Sequence, residues 1–197
     1  MQAARGTSLS SSDTDHPSAD RARPSRDRRR ALTIFAVVAV LGYAADLGTK
    51  VLAVDRLTGE PPVRVLGDLL TLTLARNPGA AFSTGTEFTV VLSGVAIVAA
   101  VVVLWTARRL GSTGWALALG LLLAGVLGNL TDRLFRAPGV LEGHVVDFLR
   151  LPNWPIFNVA DVCINVAAGL IILQAFRGVG VDGARTTKDP DTRPTTS

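Results

Sequence analysis

Residues 145–165 read VVDFLRLPNWPIFNVADVCIN, an apolar segment handed over to an apolar helix across a Pro-rich turn. Asp147 stands among Val145, Val146, Phe148 and Leu149, and Asp161 among Val159, Ala160, Val162 and Ile164. Neither acid keeps the company of a solvated surface residue, and an ionisable group in such surroundings costs free energy, which marks both as candidates for function. Two carboxyls brought close cannot both ionise easily, so their titrations split into one acid and one base. Such a pair is able to activate water.

The rest of the chain fits a membrane setting for this stretch. It has 197 residues, 48% of them hydrophobic, with a mean hydropathy of +0.37, which suits a small integral membrane protein rather than a soluble globule. The formal charge of +4 does not point to nucleic acid, because the basic residues gather at helix ends and tails with no aromatic-interleaved face. A single cysteine, Cys163, excludes an internal disulfide. The two histidines, His16 and His144, form no ligand cluster, so neither a metal nor another cofactor is expected.

Four apolar runs have spanning length, about 31–53, 88–107, 115–134 and 157–176. Residues 1–30 form a basic, polar segment read as a disordered cytoplasmic tail, and 177–197 read as a second one. Arg26, Arg28, Arg29 and Arg30 before the first run, Arg108 and Arg109 between the second and third, and Arg177 after the fourth all fall on one side, which the positive-inside rule makes cytoplasmic. A signal peptide is the competing reading of the first run, but its apolar pattern continues past Asp46. The expected fold is therefore a membrane all-α protein, a four-helix bundle with both termini cytoplasmic and a small extracytoplasmic β element. That element is placed at about 62–84, where Leu70-Thr71-Leu72-Thr73-Leu74 alternates strictly. An outer segment, 135–156, leads into the last span.

With this topology the polar residues of three spans fall at one depth. Asp46 and Lys50 lie four apart near the outer end of the first, Asn129, Asp132 and Arg133 near the outer end of the third, and Asn158, Asp161 and Asn165 at the outer start of the fourth. Gly120, Gly125 and Gly128 permit close helix approach. Asp46 with Lys50, and Asp132 with Arg133, read as structural ion pairs. Asn129 and Asn158 read either as interhelical hydrogen-bond partners or caps, or as substrate contacts. Cys163 points away from Asp161 and reads as packing. A small proton-coupled transporter or channel is the alternative function, but it calls for ionisable residues towards the midplane, and the inner halves are nearly uncharged.

Four blocks carry a resemblance: Asp46-Leu47-Gly48-Thr49-Lys50; Asn77-Pro78-Gly79-Ala80-Ala81-Phe82-Ser83; Gly128-Asn129-Leu130-Thr131-Asp132-Arg133 continuing to Val145-Val146-Asp147-Phe148; and Phe157-Asn158-Val159-Ala160-Asp161. In this order the chain, over roughly 31–176, resembles the lipoprotein signal peptidases, or type II signal peptidases. The resemblance implies an aspartic endopeptidase of the bacterial inner membrane, with its site at the extracytoplasmic face. It would cut prolipoproteins just before a diacylglyceryl-modified cysteine. It implies Asp147 and Asp161 as the catalytic pair, Asn77, Asn129, Arg133 and Asn158 around them, and Asp46, Lys50 and Asp132 as structural support. The expected partners are lipid-modified prolipoproteins and membrane lipid, with no nucleic acid, and the chain is expected to act as a monomer.

Overall fold

The computed structural model describes residues 23–79 and 85–185. Residues 1–22 and 186–197 of the two expected tails, and 80–84 of the expected β element, with the 80–83 portion of the Asn77 motif, lie outside the described residues. The elements run α1 (Arg23–Leu57), β1 (Val63–Leu66), β2 (Leu70–Asn77), α2 (Gly85–Ala107), α3 (Thr113–Phe135), β3 (Val145–Arg150) and α4 (Val159–Phe176). Each of the four helices is long and apolar enough to cross a membrane.

The helix α3 is the hub. Of its most apolar window 56% is buried, against 22% for the corresponding window of each other helix, and α1, α2 and α4 all pack on it. Away from the sheet, Ala31, Phe35 and Ala39 of α1 meet Ala100, Val103 and Ala107 of α2 and Ala116, Leu119, Leu123 and Val126 of α3. Small residues predominate in this core because helices in lipid associate through close packing and not through expulsion of water. The glycines of α3 make that approach possible. A Cβ on Gly125 would stand 2.5 Å from the Ala160 carbonyl oxygen and 2.6 Å from Ile164 Cγ1, and a backbone oxygen cannot swing aside. Gly125→Ala is therefore expected to push α3 and α4 apart and cost about 1–3 kcal/mol; an unchanged melting temperature in detergent would refute the close contact.

At one end of the bundle the three strands form an antiparallel sheet in the order β1-β2-β3. Leu72 and Leu74 of β2, with Val146 and Phe148 of β3, pack on Ala53 and Leu57 of α1 and so seat the sheet on the bundle. The third strand is a correction: 135–156 is not only a connecting segment, because Val145–Arg150 pairs with β2, Ala75 opposite Asp147 and Asn77 opposite Val145. Its run of β-branched and aromatic residues favours a strand, but a short apolar run cannot be told from buried helix by periodicity.

Two further boundaries differ. The first helix begins at Arg23 and so extends into the segment read as a tail. Past α4, residues 178–185 are folded: Gly111 and Ser112 amides donate to Val181 O at 3.0 and 3.2 Å, Trp115 Nε1 donates to Val179 O at 2.7 Å, and Val179 bridges to Arg185. Polar composition suggested a loose tail there, yet the orphan donors at the start of α3 supply backbone partners that composition cannot reveal.

Candidate active site

The sheet end of the bundle holds the buried polar residues Asp46, Lys50, Asp132, Asp147 and Asn158, and each is placed by an identifiable bond. The α4 helix starts in a capping box: Asn158 Oδ1 accepts from the Asp161 amide at 3.0 Å, and Asp161 Oδ2 accepts from the Asn158 amide at 3.1 Å. The next orphan donor, the Ala160 amide, is answered from α1 by Asp46 Oδ1 at 2.8 Å. Asp132 does the same for β3, with its Oδ2 accepting from the Val146 amide at 3.1 Å. Both carboxyl-bearing segments are thus fixed to the bundle by acids of other helices.

Those acids are themselves neutralised. Lys50 is fully buried, with Nζ 2.8 Å from Asp46 Oδ2 and 3.0 Å from Asp132 Oδ2. The pairing of Asp132 with Arg133 expected from the sequence is corrected: Asp132 pairs with Lys50 and with Arg136. Consecutive helical residues diverge by about 100°, whereas residues four apart share a face. Arg133 instead lies within electrostatic range of Asp161, Asp147 and Asp132, and its Nε is a buried donor with no hydrogen-bond partner among the described residues.

Asp147 and Asp161 are joined through two amides. Asn158 Nδ2 donates to Asp147 Oδ1 at 2.6 Å and to Asn129 Oδ1 at 3.2 Å; Asn129 Nδ2 donates to Asp161 Oδ1 at 3.0 Å. On its other side Asp147 Oδ2 accepts from Asn77 Nδ2 at 2.9 Å. Asp147 is 3% exposed. Burial pushes its carboxyl up to about 6, the amide of Asn77 pulls the other way, and the charge of Asp161 adds to the rise.

Nine of the ten polar residues singled out from the sequence are brought together at this end. Asn158 turns out to be both a cap and an interhelical donor. Asn165 does not join the group: it is exposed, and its Nδ2 donates to the Asp161 carbonyl at 2.8 Å. Two residues escaped the sequence reading. Thr89 donates to Pro78 O, and Ser93 donates to Leu141 O at 2.7 Å, so α2 ties down the turns after β2 and before β3. Their i, i+4 spacing in an otherwise apolar run was the available signal. Among the described residues no group of three His, Cys, Asp or Glu is disposed to hold a metal ion.

Comparison with known proteins agrees with this architecture. A solved bacterial membrane enzyme superposes with a TM-score of 0.65 at 26% identity, over 73% of this chain and 92% of its own. At the level of class, the chain thus has the fold of a bacterial membrane enzyme. Residues 38–177 match the model of the signal peptidase II family, and the chain belongs to that family of peptidases. Among its relatives are the lipoprotein signal peptidases of Streptomyces griseus, 49% identical over 80% of each chain, and of Leifsonia xyli, 50% identical over 83% of this chain and 77% of the relative. That of Mycolicibacterium smegmatis is 51% identical over 82% and 66%.

Proposed function

We propose that this protein removes signal peptides from diacylglyceryl-modified prolipoproteins by water attack organised between Asp147 and Asp161, cutting just before the lipidated cysteine. The observation that supports it most is the amide bridge Asp161–Asn129–Asn158–Asp147, which sets two carboxyls at one place in an otherwise apolar bundle. The pair holds one proton between its members. Asp147, whose carboxyl is pushed up to about 6, keeps it, and Asp161 takes a proton from the water as its oxygen bonds to the scissile carbonyl carbon. Asp147 then delivers its proton to the departing amine as the C–N bond breaks. The unpartnered Nε of Arg133 and the side-chain amide of Asn129 are donors for the substrate backbone and the developing oxyanion, while Asn77 and Asn158 hold Asp147 in place.

In this reading the far end is cytoplasmic and the acids lie at the extracytoplasmic boundary, which the arginines at the far end, Arg28, Arg29, Arg30, Arg108, Arg109 and Arg177, support through the positive-inside rule. Water reaches them from outside while the acyl chains of the substrate stay in lipid. The protein works as a monomer in this reading.

The proton on Asp147 carries a kinetic consequence. On the alkaline side kcat/KM is expected to fall with a midpoint of about 6, the value for the substrate-free site. The corresponding limb of kcat lies at higher pH, because bound substrate displaces water and deepens the burial that raises the carboxyl. Coincident limbs in the two profiles would count against a proton held on Asp147. Processing assays on Asp147→Asn and Asp161→Asn test the reading as a whole.

A further inference from the structure

The Lys50 ammonium lies at the edge of this polar cluster, and a role as mere charge balance leaves one of its bonds unexplained. Beyond its two carboxylates it donates to Asn129 Oδ1 at 2.9 Å. We infer that Lys50 is a positioning residue for Asp161, fixing which way the Asn129 side-chain amide faces and so which atom it presents to the carboxyl. This rests on the proposed role of Asp161 as one of the two acids.

The argument is an inventory of donors. An ammonium has three donors and no acceptor, whereas a primary amide has a donor end and an acceptor end of nearly equal shape. Asn129 Oδ1 faces two donors, Lys50 Nζ and Asn158 Nδ2, and Nδ2 faces the acceptor Asp161 Oδ1. Turned over, the amide would set NH2 against the ammonium and against a second NH2, and an oxygen against a carboxylate. All three contacts become repulsive in a site where water is scarce and unpaired polar atoms are costly. Asn158, turned by the capping bond from the Asp161 backbone amide to its Oδ1, favours the same choice, but at 3.2 Å its contact is the longer of the two. Lys50 locks it, because it has no second orientation and cannot withdraw: Asp46 holds it from α1 and Asp132 from α3.

The effect reaches Asp161 through one atom. With Asn129 Nδ2 on Oδ1 and the Asn158 backbone amide on Oδ2, the carboxyl plane is fixed from both sides before substrate arrives. A carboxylate free to rotate would present the attacking water with a distribution of angles, and misplacement of a reacting group by about 1 Å can cost on the order of 100-fold in rate. Lys50 makes no hydrogen bond or ion pair described above with Asp147 or Asp161; its charge acts on Asp147 at a distance and lowers that carboxyl, while its hold on Asp161 passes through Asn129.

The decisive experiment observes the amide itself. In the full-length wild-type protein, carrying 15N-labelled asparagine side chains in detergent micelles, the Asn129 Nδ2 signal is assigned by its disappearance in Asn129→Ser. Its shift is expected to follow pH in step with the alkaline limb of kcat/KM, because Nδ2 donates to Asp161, which feels the charge of Asp147 as that carboxyl loses its proton. A signal that stays flat while the others respond would mean that the amide faces the other way, and would overturn the inference.

The double variant Asp46→Asn, Lys50→Gln supplies the kinetic arm. It balances charge, keeps an oxygen for the Ala160 amide, and replaces a donor-only head with one that can present either end. We expect a cooperative melt, a kcat about 10- to 100-fold down with KM changed little, and an Asn129 shift less responsive to pH. A folded double variant with wild-type kcat refutes the inference; should it not fold, the wild-type signal decides alone. Processing by Asp161→Asn would remove the two-acid reading without touching the amide orientation, so the two failures are distinguishable.

Discussion

Asp161→Asn and Asp147→Asn are each expected to lower the rate of prolipoprotein processing by about 10²- to 10⁴-fold, the usual contribution of a positioned acid or base. Combining them should cost little more than either alone, since two groups that share a proton act as a unit. A gel shift of lipidated pre-lipoprotein after incubation with each purified variant is sufficient, and full processing by either one would end the case for the pair.

The same substitution at Asp147 separates lost chemistry from lost fold. Its folded carboxyl is raised from 3.8 to about 6, so the folded state favours the protonated form. Its contribution to stability is fully present below about pH 4 and is lost as pH rises through about 6, and a rise of about two units corresponds to about 3 kcal/mol. An asparagine does not ionise and escapes that loss, although its NH2 cannot accept from both Asn77 and Asn158 and so returns part of the gain. Asp147→Asn should therefore melt no lower than wild type at pH 8 while being inactive there, with its relative advantage shrinking towards pH 4. An inactive variant that is also unfolded at pH 8 would instead point to a structural role for this acid.

Lys50→Met is expected to have the largest effect on stability. It removes the only cation paired with Asp46 among the described residues, and one of two paired with Asp132. Breaking a buried pair by deleting one partner costs about 3–5 kcal/mol, because a charge is stranded out of water. Set against a total of about 5–15 kcal/mol for a typical domain, this should show as a steep fall in the yield of folded protein and in the melting temperature in detergent. Adding Asp46→Asn to Lys50→Met should recover part of the loss, because it withdraws one of the stranded charges and the two residues are in contact. A single variant that melts like wild type would mean that the cluster tolerates a net charge, contrary to its burial.

The sequence exposed the helices well and the sheet only in part. Runs such as 115–134 are legible because lipid demands a length and a composition that little else imitates. The alternation in Leu70–Leu74 exposed β2, whereas Val145–Arg150 has apolar residues on both sides of Asp147 and no period to read. For the site, the gathering of Asp46, Lys50, Asn129, Asp132, Asn158 and Asp161 followed from three helices and a charge rule. Which atom meets which did not follow: helical spacing could not foresee that Asp132 would reach the Val146 amide or that Arg133 would leave Nε unmet. Such pairings depend on tertiary geometry, as does the tie from Ser93 to Leu141, 48 residues away.

The bond from Ala160 to Asp46 spans 114 positions. The start of α4 is thereby registered against α1, and no fragment lacking either can assemble the working arrangement. Progressive truncation from either side should accordingly lose competence in one step rather than by degrees, and two separately expressed halves would have to find each other in the bilayer before any turnover began.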